Sequence, residues 1–122
     1  MSWHGRAFVL VFFVFATGTP ARTQCEEAKS TLQINECLAK ELKKADTELS
    51  KVYHTIEKKL EPDDALLLRK AQRAWLAYRD AHCDAEHALW GGGTGGPAAW
   101  MSCRLELTRQ RTVEIKSTYQ NQ

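Results

Sequence analysis

The chain has 122 residues, with 17 lysines and arginines against 15 aspartates and glutamates and a formal net charge of +2. That near balance gives no electrostatic preference for nucleic acid, which is bound through an excess of basic charge, and the length supports one small core. Four cysteines in so short a chain, Cys25, Cys37, Cys83 and Cys103, point to two disulfides and an oxidising compartment.

The first element reads as an export signal. Residues 1 to 6 carry one fixed positive charge at Arg6, residues 7 to 16 are an unbroken apolar run, and residues 17 to 21 are small and turn-prone. Ten apolar residues reach roughly 15 Å as a helix, about half the hydrocarbon thickness of a bilayer, which is too short for a spanning anchor. Cleavage after Ala21 is expected, with a cut after Gly18 as the alternative, so that residues 1–21 are a signal peptide and residues 22–122 the mature domain. Arg22, Thr23 and Gln24 precede Cys25 where a lipidated cysteine needs a Leu-Ala-Gly-like run, so no lipid anchor is expected. The mature chain is then close to neutral, without a membrane span, and periplasmic or extracellular.

A first long helix is predicted over residues 31 to 60. Leu38, Leu42, Ala45, Leu49, Val52 and Ile56 recur at steps of three and four, Ser30 or Thr31 is able to cap the start, and Pro62 cannot continue the helix. Asp63 and Asp64 suit the positive end of a second helix. Its seam is read as Leu68, Ala71, Trp75, Tyr78, His82, Ala85 and Leu89, ending where Trp90 meets Gly91, Gly92, Gly93, Thr94, Gly95 and Gly96. Five glycines in six positions do not hold a helix. Pro97 opens a third helix with the seam Met101, Leu105, Thr108, Thr112, Ile115 and Tyr119. No strand signal occurs. The predicted fold is all-α: a small antiparallel three-helix, up-down-up bundle with a short N-terminal turn or helix.

The helices also choose the disulfides. Cys83 precedes Trp90 by seven residues and Cys103 follows Pro97 by six, so an antiparallel hairpin brings both to nearly one height. Cys25 then pairs with Cys37. A continuous helix separates those two by about 18 Å, far beyond the roughly 7 Å limit for bridged α-carbons, so the chain must fold back near residues 29 to 31.

Candidate chemistry is sparse. His82 and Glu86 lie one helical turn apart, as do Cys83 and His87, which is a workable two-ligand spacing, and a metal-dependent enzyme using His82, Glu86 and His87 is one reading. The two pairs face directions about 100° apart and Cys83 is taken by a disulfide, so His82 reads as a core-edge residue and His87 as a surface one. Ser50, Ser102 and Ser117 lack a nucleophile elbow, and the glycine run follows a helix and lacks the Gly-Lys-Ser/Thr ending of a phosphate loop. Asp80 and Asp84 read as part of a wet helical face. The cluster Arg69, Lys70 and Arg73 reads the same way, with an anion site as the alternative. Arg79 and Asp80 sit beside Trp75 and Tyr78, so Arg79, near the core edge, is expected to make a structural ion pair with another helix, with Trp75 in the core. The glycine run is either a plain connector or a protruding element that offers Trp90 and Trp100 on its shoulders as aromatic anchors.

Three stretches together carry a resemblance: residues 35–41 leading into Ala45 and Asp46, residues 71–83, and residues 102–111, including Gln72, Trp75, Arg79, Asp80, Cys83 and Cys103. The chain resembles the LprI-like lysozyme inhibitor N-terminal domain family. The resemblance implies a small exported helical domain with disulfides, associated with bacterial envelopes, and inhibition of lysozyme as its activity. The sequence reads as the bare module of that family, with no lipidation sequence. The function expected is that of a non-enzymatic binding module that needs no cofactor and whose partner is lysozyme or another envelope protein. The binding residues predicted are Trp90, Gly91, Gly92, Gly93, Gly95, Gly96 and Trp100, with Asp80 and Asp84 on the adjoining acidic face. An envelope structural protein with a different partner is the rival reading.

Overall fold

A computed structural model describes residues 25–119; the predicted signal and its cleavage point lie outside the described residues. Three helices account for the fold: α1 (Thr31–Glu57), α2 (Pro62–Ala88) and α3 (Gly96–Tyr119). No strand occurs among the described residues, and none of the described helices is long and apolar enough to cross a membrane.

Local chemistry sets each boundary. Ser30 is the N-cap of α1, its Oγ accepting from the Gln33 amide at 3.2 Å, while the Gln33 side chain accepts from the Lys29 amide at 2.9 Å. These reciprocal bonds satisfy amides that the helix itself leaves unpaired. The helix ends at Glu57, three residues before the predicted end. Lys58 and Lys59 close a tight turn onto the His54 and Ile56 carbonyls, which brings Leu60 back against the core. Pro62 opens α2 at its first position, where its missing N–H costs nothing.

The topology is up-down-up. α3 is the central element, packed along α1 and, less extensively, α2, while α1 and α2 approach each other little. One core cluster joins Leu49, Val52, Ile56, Leu68 and Ile115; the other joins Cys25, Leu38, Ala45 and Leu105 near the opposite end. Leu68, Leu105 and Ile115 are fully buried. The buried line of α1, Leu38, Ala45, Leu49, Val52 and Ile56, is the predicted one, as are Leu105, Thr108, Thr112 and Ile115 of α3.

The seam of α2 differs from the prediction. The buried residues are Ala65, Leu68, Gln72, Arg79 and Cys83, with Trp75 half-buried, whereas Ala71, Tyr78, His82, Ala85 and Leu89 are exposed. The helix turns Gln72 and Arg79 inward because α3 meets them with polar side chains at Thr108 and Arg111, so the buried polar atoms find partners.

Both disulfides join the expected cysteines. Cys25 bonds Cys37 with α-carbons 5.8 Å apart, and Cys83 bonds Cys103 with α-carbons 5.7 Å apart. A short turn, closed by the Ala28 amide on the Cys25 carbonyl at 3.2 Å, folds the N-terminal segment back onto α1.

Candidate functional site

The end of the bundle where α2 turns into α3 carries the predicted binding residues. The connection is a closed turn: the Gly91 amide donates to the Ala88 carbonyl at 3.3 Å, Gly93 to Trp90 at 2.9 Å, and Gly96 to Gly93 at 3.1 Å. Gly91 and Gly92 have φ of +57° and +81°, the left-handed region that side chains disfavour. Gly95 is required for a different reason. A β-carbon there would lie 2.4 Å from Cζ3 of Trp90, so the indole ring packs closely against the glycine. The His87 ring lies in the same way against Gly96. Trp90 is thereby fixed while half of its surface stays in solvent.

Trp100 and the two aspartates brace this end. The Trp100 indole N–H donates to Asp84 Oδ1 at 2.8 Å, and the Arg104 guanidinium lies 4.4 Å from the Trp100 ring centroid. Arg104 also pairs with Asp80 Oδ1 at 2.9 Å. Asp80 and Asp84 therefore lock α2 to α3 beside the Cys83–Cys103 bridge. The structure brings Trp90 and the glycines together in one surface element and sets Trp100, Asp80 and Asp84 behind it as its support.

Deeper in the bundle lies a buried polar network. Arg79, 5 % exposed, donates to Asp46 Oδ1 and Thr108 Oγ1 at 3.0 Å each and to Asp80 Oδ1 at 3.1 Å, which ties α2 to both other helices and bears out the expected ion pair. Arg111, 9 % exposed, donates to Gln72 Oε1 at 3.0 Å and pairs with Glu114 at 2.9 Å. Both guanidiniums approach the Trp75 ring, at 5.3 and 5.8 Å from its centroid. Among the described residues Asn35 Oδ1 is the one buried side-chain polar atom without a partner, so this network is satisfied. Thr108 and Arg79 are legible in sequence from their phase and neighbours. The inward roles of Gln72 and Arg111 are not, because a hydrophobicity pattern places both on the wet side. An open groove of about 370 Å³ between α1 and α2, lined by Asp46, Leu49, Ser50, Tyr53 and Leu76, runs above Arg79.

Among the described residues the metal-ligating types form one cluster: ligand atoms of His82, Glu86 and Cys103 lie within 4.8 Å of one another. The Cys103 sulfur is bonded to Cys83, and a thiolate, not a disulfide sulfur, is the form that ligates metal. His87 does not join this group.

These features define a class: a disulfide-braced three-helix domain whose two buried arginines fasten the helices and whose one ordered glycine turn presents a tryptophan. The chain belongs to the lysozyme inhibitor LprI family, which it matches over residues 22–115. It is 34% identical over 105 residues to an uncharacterized protein of Rhizobium meliloti (strain 1021), covering 75% of this chain and 76% of that protein. It is also 30% identical over 98 residues to the uncharacterized protein YecT of Escherichia coli (strain K12), covering 68% of this chain and 60% of that protein's length. No solved structure matches. The residues that carried the resemblance in sequence, Gln72, Trp75, Arg79, Asp80, Cys83 and Cys103, are the ones that fasten α2 to its neighbours.

Proposed function

We propose that this chain is exported and acts as a non-enzymatic binding module that inhibits lysozyme by steric blocking. The half-exposed Trp90, held on its glycine turn, enters the substrate cleft, and Gly91, Gly92, Gly93, Gly95 and Gly96 allow the turn to approach closely. Of the acidic residues of α2, Asp84 and Glu86 orient the encounter with a basic enzyme, while Asp80, held between Arg79 and Arg104, braces the face beside them. Trp100 supports the turn through Asp84. Membership of the LprI family supports the partner, and the two disulfides accord with an oxidising compartment. The observation that carries the choice of surface is the packing of Trp90 on Gly95, which offers a rigid aromatic anchor at little entropic cost.

The test is titration of the oxidised chain into a peptidoglycan-clearing assay with chicken-type and goose-type lysozymes. Saturable inhibition by the native chain, with loss in Trp90→Ala at an unchanged helical spectrum, is the expected result. Undiminished inhibition by Trp90→Ala removes the turn from the contact. Absence of inhibition at large molar excess leaves an envelope module with a different partner.

A further inference from the structure

The outward face of α1 carries a row of lysines whose charges the bundle compensates only in part. Along the sequence the signs alternate, but the helix sorts them. At about 100° per residue, Lys40, Lys44, Lys51 and Lys58 fall within about 40° of one another, with Lys43, Thr47 and His54 alongside. All seven are exposed, on the side opposite the buried line of α1. The acids Glu41, Asp46, Glu48 and Glu57 fall on the two flanks, and each is held by a cation of another helix: Arg109, Arg79, Lys116 and Arg69 respectively. Lys44 reaches Glu41 at 2.8 Å, and Lys51 lies one turn from Glu48, whose carboxylate is already bonded to Lys116. Lys40, Lys43 and Lys58 form no ion pair among the described residues, and the exposed Glu36 stands at the N-terminal end of the row.

The row runs about 27 Å along the helix axis. A convex helix offers such a line of charges simultaneously to a flat surface, and no large apolar side chain interrupts it to serve as the buried centre of a protein interface. We propose that the lysine ridge of α1 docks this domain peripherally on an anionic phospholipid surface. The inference goes beyond lysozyme inhibition and does not depend on it. A basic lysozyme is repelled by the ridge, and Trp90 and the acidic part of α2 lie on other elements, so a docked domain keeps them free.

The experiment is sedimentation of a chain starting at Arg22, which retains the whole bundle and lacks the apolar run, with phosphatidylcholine vesicles made with and without phosphatidylglycerol. A lysine beside an anionic surface is worth about 1 kcal/mol, or about fivefold in partition. Lys40→Gln/Lys51→Gln should therefore lower partition on the anionic vesicles roughly 30-fold. Lys70→Gln/Arg73→Gln, with the same loss of charge on α2, should change it little. Binding should disappear on neutral vesicles and in high salt, with the helical spectrum of every variant unchanged. Equal partition on both vesicle types, or an equal loss from the two double variants, overturns the proposal. So does capture by soluble polyphosphate without vesicle binding.

Discussion

The Glu48 carboxylate meets the Lys116 ammonium at 2.8 Å across 68 residues of chain, one heptad beyond Glu41 and Arg109, which meet at the same distance and separation. The repeat fixes α1 and α3 as parallel neighbours in one register. It also makes stability sensitive to acid. Hydrogen bonding to Lys116 holds Glu48 below its ordinary value of 4.5, and Lys44 and Arg69 do the same for Glu41 and Glu57. A carboxylate whose folded pKa is depressed contributes stability above its unfolded pKa, and that contribution is lost as pH falls through the folded value. Melting temperature followed by circular dichroism should stay nearly level from neutrality to about pH 5 and fall below 4.5. Glu48→Gln should lower the neutral value and flatten the acid slope; an unchanged slope in that variant removes the pair as a cause.

Arg79 is the junction of all three helices. Arg79→Ala strands Thr108 Oγ1, removes the partner of Asp46, leaves Asp80 with Arg104 alone, and empties the space beside Trp75, at an expected cost of about 3 kcal/mol. Asp46→Asn should cost under about 1 kcal/mol, because that carboxylate is half-exposed. Arg79→Lys should not restore the native value, since an ammonium lacks the planar fork that reaches Asp46, Thr108 and Asp80 together. Urea unfolding of the three variants tests this ranking, and equal costs for Arg79→Ala and Asp46→Asn contradict it.

Two leucines contrast the seam of α3, which packs as predicted, with that of α2, which does not. Leu105 is fully buried, so Leu105→Ala should cost about 3 to 5 kcal/mol. Leu89, on the predicted seam of α2, is 86 % exposed, and Leu89→Ala should leave stability within about 0.5 kcal/mol. A large loss from Leu89→Ala in a urea titration would restore the seam expected from sequence.

Gly95→Ala places a methyl group into the Trp90 ring. The ring must swing away, so its emission should shift to the red and its quenching by acrylamide should rise while the helical spectrum holds. In a Trp90→Phe background the same substitution should leave the fluorescence unchanged, which assigns the effect to that indole and not to Trp75 or Trp100. An unshifted spectrum in the native background shows the ring elsewhere.

Much of this architecture is written in apolar spacing. On α1 and α3 the residues that face inward, Arg111 apart, are apolar or, as with Thr108 and Thr112, small enough to follow the same period, so the buried lines are readable from steps of three and four. The cysteine pairings are readable too, because helix length and turn position fix relative heights. α2 defeats the same procedure. Arg79 is legible only from its aromatic neighbours, off the apolar seam, and the burial of Gln72 is made tolerable by Arg111 on another helix, which a reading along one helix does not contain. The glycine run is legible as a helix break and its Trp90 as an aromatic shoulder, but the fit of the ring onto Gly95 depends on the backbone path of the turn. The lysine row is hidden for a related reason. Signs alternate along residues 40 to 59, and only the assignment of each flanking acid to a cation on another helix reveals which charges remain.

The Cys83–Cys103 bond has a consequence for survival among proteases. The sulfurs lie on either side of the glycine turn, so an enzyme that cuts within residues 91–95 severs the main chain without dividing the molecule. A nicked chain should migrate as one species until thiol is added and only then split into an N-terminal and a C-terminal fragment. The turn that breaks the hairpin is thus a segment whose scission the protein is built to outlast.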